Sequence, residues 1–194
     1  MDSLMQSMYE FLVELDKLKR VNRRAYVTDG SRHENSAEHS WHLTIAMVAF
    51  QKELDLQLDL ERVLKMALVH DLGEIDAGDV SVFSSKRATI TEDEQACIER
   101  LADYNTAFAK ETRELWLEFE EQKTEESRWL KVFDRLLPFF LNMATEGRAW
   151  KDQNVSRSDL LRILEPVAQT SADMYAWMQG KIEKAVSAGW VRDS

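Results

Sequence analysis

Apolar residues recur along the chain at three- and four-residue steps, the period of a helix with one buried face, and almost nowhere at alternate positions. Leu4, Met8, Phe11, Leu12, Leu15 and Leu18 share one stripe, predicting a first helix over about residues 2–19. The stretch RRAYVTDGSRHEN is polar and reads as a connection. Asn35 or Ser36 then caps a second helix, with Glu38 as the acid of a capping box, and that helix runs through WHLTIAMVAFQKEL. DLERVLKMALVHDL predicts a third helix, followed by a loop around Gly78. Thr91 and Glu94 form a second capping box, opening a fourth helix that reaches about Phe108, and residues 110–122 form a short amphipathic segment. TEESRWLKVFDRLLPFFLNMATEG is a long apolar helix stopped near Gly147, with a kink expected at Pro138. Ser156 with Asp159 starts a final helical region, broken at Pro166. The fold class is all-α, with no repeat or linker to divide it. The expectation is one domain over residues 1–194, its core at about 15–145 and its C-terminal helices at about 156–188.

Composition sharpens this picture. With 6 Gly and 2 Pro in 194 residues, and abundant Leu, Ala, Glu and Lys, the chain favours helix over sheet. A single cysteine, Cys97, leaves no intrachain disulfide and no thiolate zinc site, which suits a cytoplasmic protein. The first twenty residues lack the basic start and cleavage site of a signal peptide, and no apolar run is long enough to span a bilayer. A net charge of −10 argues against broad binding to polymeric nucleic acid or to an anionic membrane.

The chemistry sits where the helical pattern is violated. Three of the four histidines lie in NSAEHSWH and LVHDLGE, inside otherwise aliphatic helices. His70 follows Val63, Met66 and Ala67 at i−7, i−4 and i−3, and so falls on a buried stripe. Asp134 has Leu130, Leu137 and Leu141 around it in the same way. A buried, unpaired carboxylate is costly, so Asp134 is expected to have strong hydrogen bonds or a cation, either a neighbour such as Lys131 or Arg135 or a metal ion. Singly, a core histidine or an HD dipeptide is unremarkable. Together, His39, His70, Asp71 and Asp134 suit one divalent transition metal with room left for water.

AEHSWH, VHDLGE with GD shortly after, and KVFDRL resemble the HD-domain metal-dependent phosphohydrolases, and in particular the 5′-deoxynucleotidase branch. The resemblance runs from LDKLKRVNRR to about LLPFFL, roughly two-thirds of the chain. It implies a helical HD domain with a metal site in its core, the metal held by His39, His70, Asp71 and Asp134. It implies an enzyme that removes the 5′-phosphate from nucleoside monophosphates. Glu74 is the implied acid–base group, Asp79 the contact to the sugar 3′-hydroxyl, and Arg23 the phosphate-binding arginine. Arg32, Lys86 and Arg87 are further candidate cations. Where bacterial deoxynucleotidases carry a tryptophan that excludes a ribose 2′-hydroxyl, this chain has Arg24, which implies relaxed sugar selectivity. The resemblance also favours a homodimer, with Trp177 and Trp190 as candidate exposed aromatics. His42 reads as a packing residue beside the site, Trp41 as core, and His33 carries no role.

Two rival readings remain. One is another HD hydrolase, acting on a different small or signalling nucleotide; dinuclear members need further histidines, and none follows His70. The other is a non-catalytic helical interaction module, which intact His39, His70, Asp71, Glu74 and Asp134 argue against.

Overall fold

The computed structural model describes residues 1–84 and 87–194, and for residues 87–91 it describes the backbone alone. The described residues form eleven α-helices and one two-stranded sheet. Helix α1 (Asp2–Leu15) passes into a 3₁₀ turn (Asp16–Arg20), so the expected first helix is shorter by one turn. Of its apolar stripe, Phe11 is buried, whereas Leu4 and Leu12 are exposed.

The polar connection contains strand. β1 (Asn22–Tyr26) and β2 (His33–Asn35) pair antiparallel, with Asn22 opposite Asn35 and Tyr26 opposite His33. The register is irregular between those pairs, a bulge in the stretch that carries Arg23 and Arg24. A bulged hairpin this short offers no alternating pattern to read.

Helix α2 (Ser36–Glu53) starts with the expected box. Asn35 accepts from the Glu38 amide at 2.9 Å, and the Glu38 carboxylate accepts from the Asn35 amide at 3.1 Å. Helix α3 (Leu60–Val69) ends at His70, and a tight turn leads to α4 (Glu74–Ala77). That turn needs Gly73, because a Cβ there would lie 2.9 Å from the Glu94 carbonyl oxygen. Helix α5 (Arg87–Ala102) begins before Thr91, so Thr91 is not its cap, and it ends before Phe108. Phe108 belongs to α6 (Ala107–Glu121), whose cap is Thr106. The fourth expected helix thus ends early, and α6 is the amphipathic segment expected at 110–122, begun three residues sooner.

Helix α7 (Glu125–Ala144) continues through Pro138. The ring removes one backbone donor, and neighbouring packing holds the helix: Leu136, Leu137 and Phe139 are all buried. Short helices α8 (Arg148–Asp152), α9 (Arg157–Ile163) and α10 (Glu165–Thr170) precede α11 (Ala172–Ser187). Ser156 and Asp159 form the expected box, and Pro166 sits in the first turn of α10, where its missing N–H costs nothing.

One hydrophobic cluster extends from Phe11 to Val191 and holds α2, α3, α6 and α7 around Met47, Met66, Leu115 and Leu130. Trp41 is not in it. It is 64% exposed, because Leu43 and Met47 take the inner face of α2 and leave Trp41, Ile45 and Val48 on the outer one.

Candidate metal centre and active site

Four helices deliver polar side chains to one end of a cleft. His39, in the first turn of α2, is fully buried. His70 closes α3, Asp71 follows it, and Glu74 opens α4, so a single turn aims three functional groups the same way. Asp134 comes from the middle of α7. His39, His70 and Asp71 each present one donor atom, all within 4.8 Å of one another. Asp134 Oδ1 joins them, 3.1 Å from His39 Nε2 and 3.9 Å from His70 Nε2.

The donor set fits a divalent ion. His70 Nδ1 donates to the Ala67 carbonyl at 2.9 Å, which turns Nε2 toward the cluster. His70 Nε2 lies 3.1 Å from Asp71 Oδ1 yet has no hydrogen-bond partner among the described residues. Buried polar atoms are rarely left so, and an imidazole nitrogen facing carboxylates is a metal ligand in waiting.

Electrostatics separates the groups. Burial, helped by the Arg23 cation, depresses His39 to a pKa of about 4, so it is a neutral imidazole with a lone pair to give. Burial opposes charge on His70 too, but the Asp71 carboxylate outweighs it and raises its pKa. Asp71 is held low despite burial by His70 and Arg23, and Asp134 by Lys131 and Arg135. Lys131 and Arg135 both reach Asp134 Oδ2, at 3.5 and 3.4 Å, so Asp134 has cationic neighbours on one oxygen and histidines on the other. Glu74 goes the other way. Burial and the adjacent Asp71 raise it well above an ordinary carboxyl, and Ser36 Oγ donates to its Oε2 at 2.5 Å.

Arg23 projects inward from β1, donates from Nη1 to Asp71 Oδ2, and lies 3.9 Å from Glu74 and 3.7 Å from Glu34. Arg24, its neighbour on the bulged strand, is exposed at the cleft wall. Asp79 lines the cleft. The cleft encloses about 970 Å³ with its open mouth included, and Phe83, Phe139, Trp150 and Leu164 give its wall an apolar part. Arg32 stands outside this lining, exposed and forked onto Glu38 at 2.8 Å. Lys86 lies outside the described residues, as does the side chain of Arg87. His42 is half-buried beside Trp41 and does not line the cleft. His33 stacks on Tyr26.

Sequence reading passed over Glu34, which is buried within reach of Arg23 and His39. It took Lys131 only as a partner for Asp134, although its amine also lies 4.2 Å over the Phe119 ring at the cleft wall. Glu34 gave no signal, since one acid in a polar connection looks like any other.

The family model described as an HD domain matches residues 15–174, a span that contains all four clustered residues. The chain belongs to the HD-domain family. The HD domain here is 34% identical, with a TM-score of 0.88, to a crystal structure described as a predicted metal-dependent phosphohydrolase from Magnetospirillum magnetotacticum MS-1, over 96% of this chain and 95% of that one. It is 32% identical over 139 residues to the 5′-deoxynucleotidase HDDC2 of Dictyostelium discoideum, covering 68% of this chain and 73% of the relative. With the protein of the same name from Danio rerio the identity is 29% over 135 residues, which is 68% of this chain and 66% of the relative. No helix among the described residues of this HD domain is long and apolar enough to cross a membrane.

Proposed function

We propose that this HD-domain protein is a metal-dependent phosphohydrolase that removes the 5′-phosphate from nucleoside and deoxynucleoside monophosphates. The observation that carries this is the convergence of His39, His70, Asp71 and Asp134 at the floor of a cleft, with Arg23 beside them. The similar proteins named 5′-deoxynucleotidase supply the substrate class.

His39, His70, Asp71 and Asp134 hold one divalent ion per chain. When bound, that ion supplies Lewis acidity toward the phosphoryl group and lowers the pKa of water to the neutral range. Glu74, its carboxyl raised by burial and oriented by Ser36, takes or relays the proton of the attacking water. Arg23 turns its guanidinium from Asp71 toward the phosphoryl oxygens and stabilises the charge that grows on them. Asp79 accepts from the sugar 3′-hydroxyl, which orients the 5′-phosphate toward the cluster and disfavours 3′-monophosphates. Arg24, exposed and flexible at the cleft wall, tolerates a ribose 2′-hydroxyl. Lys86 and Arg32 are further cations for an anionic substrate, Arg32 on release from Glu38.

Residues 1–194 act as one domain, consistent with a hydrophobic cluster that reaches Val191. The protein works as a homodimer in the cytoplasm. The outward stripe of Trp41, Ile45 and Val48 on α2 offers an apolar face for a second copy, and Trp177 a further exposed ring, while Trp190 is only half-exposed. The lone buried cysteine suits a reducing compartment.

One assay tests the catalytic reading. Purified protein, stripped by chelation and reloaded with manganese, cobalt, magnesium or zinc, is given the full panel of 5′- and 3′-nucleoside monophosphates. We expect phosphate release from the 5′-monophosphates, lost on stripping and restored on reloading. Activity that survives thorough chelation would exclude the metal-dependent mechanism.

A further inference from the structure

Glu34 occupies the middle of β2, one residue before the cap of α2 and five before His39. Strand alternation turns it inward, and it is 4% exposed. A carboxylate this deep in the protein costs several kcal/mol unless donors or cations surround it. Its surroundings are specific. Glu34 Oε1 lies 3.7 Å from Arg23 Nε, across the hairpin, and 3.8 Å from His39 Nδ1. Among the described residues, neither Glu34 Oε1 nor His39 Nδ1 has a hydrogen-bond partner.

Two buried polar atoms that face each other without bonding call for an explanation, because such groups are almost always satisfied. The chemistry of His39 supplies it. Its Nε2 faces the cluster, 3.1 Å from Asp134 Oδ1. A neutral imidazole carries one proton, so Nε2 can offer a lone pair only when the proton is on Nδ1. The acceptor near that Nδ1–H is Glu34 Oε1, 3.8 Å away. A carboxylate in this position fixes the tautomer, holds the ring plane and makes the ligating nitrogen more basic. The same oxygen steadies Arg23 at Nε, while Arg23 Nη1 reaches Asp71.

We propose that Glu34 is a positioning residue, a single carboxylate that orients His39 toward the metal and Arg23 toward the phosphate. It touches neither. The inference rests on the reading of His39 as a metal ligand and Arg23 as a phosphate contact, and it couples the two: loss of Glu34 loosens metal and phosphate together.

The test compares wild type, Glu34→Gln and Glu34→Ala for cobalt affinity by chelator competition and for competitive inhibition by inorganic phosphate, with circular dichroism to confirm the fold. Glu34→Ala should bind cobalt about 10–100-fold more weakly. Glu34→Gln should recover part of that affinity, because its amide oxygen keeps an acceptor facing His39 Nδ1–H. It should not recover phosphate inhibition, because it lacks the charge that steadies Arg23. Cobalt affinities indistinguishable among the three proteins, or phosphate inhibition unchanged in both variants, overturn the inference and leave the metal centre standing. A wild type that binds no cobalt sinks the metal centre itself. Should the alanine variant fail to fold, imidazole ¹⁵N spectra of the zinc-loaded wild type and Glu34→Gln decide. An exchange-protected His39 Nδ1–H whose resonance moves in Glu34→Gln supports the role, and an unmoved resonance refutes it.

Discussion

The cleft wall around Trp150, here the far end, and the surroundings of the histidines, the near end, obey opposite rules. At the far end every amide is occupied: Asn142 donates to the Pro138 carbonyl at 3.0 Å and accepts from the Trp150 amide at 3.1 Å. Gln153 donates to the Ala149 carbonyl at 3.0 Å and accepts from Ser81 at 2.5 Å. Trp150 packs on Phe139 with ring centroids 5.3 Å apart. At the histidine end, His39 Nδ1, His70 Nε2 and Glu34 Oε1 lack hydrogen-bond partners among the described residues, in a site crowded with carboxylates. The far end is built as protein interiors are, with polar groups consumed by structure. The near end gives up local satisfaction, which is expected where binding groups must stay available. The contrast locates function without reference to any ligand.

The largest expected effect tests the near end. Glu74→Ala should retain the metal, because Glu74 is not a ligand, while turnover falls by about 10²–10⁴-fold if it is the acid–base group. Metal analysis alongside kcat separates the roles, since a variant that arrives without metal puts Glu74 among the ligands. The far end should respond in stability. Trp150→Ala removes a side chain only 3% exposed and should cost about 3–5 kcal/mol in denaturant unfolding, with kcat of the folded fraction largely kept. A collapse of kcat at unchanged stability would merge the two ends into one functional surface. The smallest effect concerns the rim. With Arg24 exposed, the wild type should prefer deoxyribose over ribose by tenfold or less in kcat/KM, about 1.4 kcal/mol in the transition state. Arg24→Trp should sharpen that preference. A wild type that already discriminates a thousandfold places the sugar gate away from Arg24.

Local order was legible because its causes are local. The boxes Asn35–Glu38 and Ser156–Asp159 depend on residues three apart, and both stand in the structure. Thr91–Glu94 has the same spacing but lies inside α5, which shows that the motif permits a helix start without compelling one. His70 and Asp134 stood out because a polar residue on an apolar stripe contradicts its surroundings, and burial makes that contradiction expensive. Arg23 and Glu74 came through resemblance and lie beside Asp71, at a contact and 3.9 Å from one another.

By itself, then, the sequence determined the helical class, the starts of α2, α7 and α9, and which polar residues had to find partners in the core. Tertiary structure alone decided who those partners are. Glu34 meets Arg23 across a bulged hairpin and His39 across a helix start, and no period along the chain encodes either contact. Trp41 is outside because Leu43 and Met47 already fill the inner face of α2, a choice set by α3 and α7. Asp134 sits 95 residues from His39 in sequence and 3.1 Å from it in space. Hydrophobic burial is non-directional and reads out as a pattern, whereas hydrogen bonds and ligation depend on the position of atoms to within tenths of an ångström, which only the packed chain supplies.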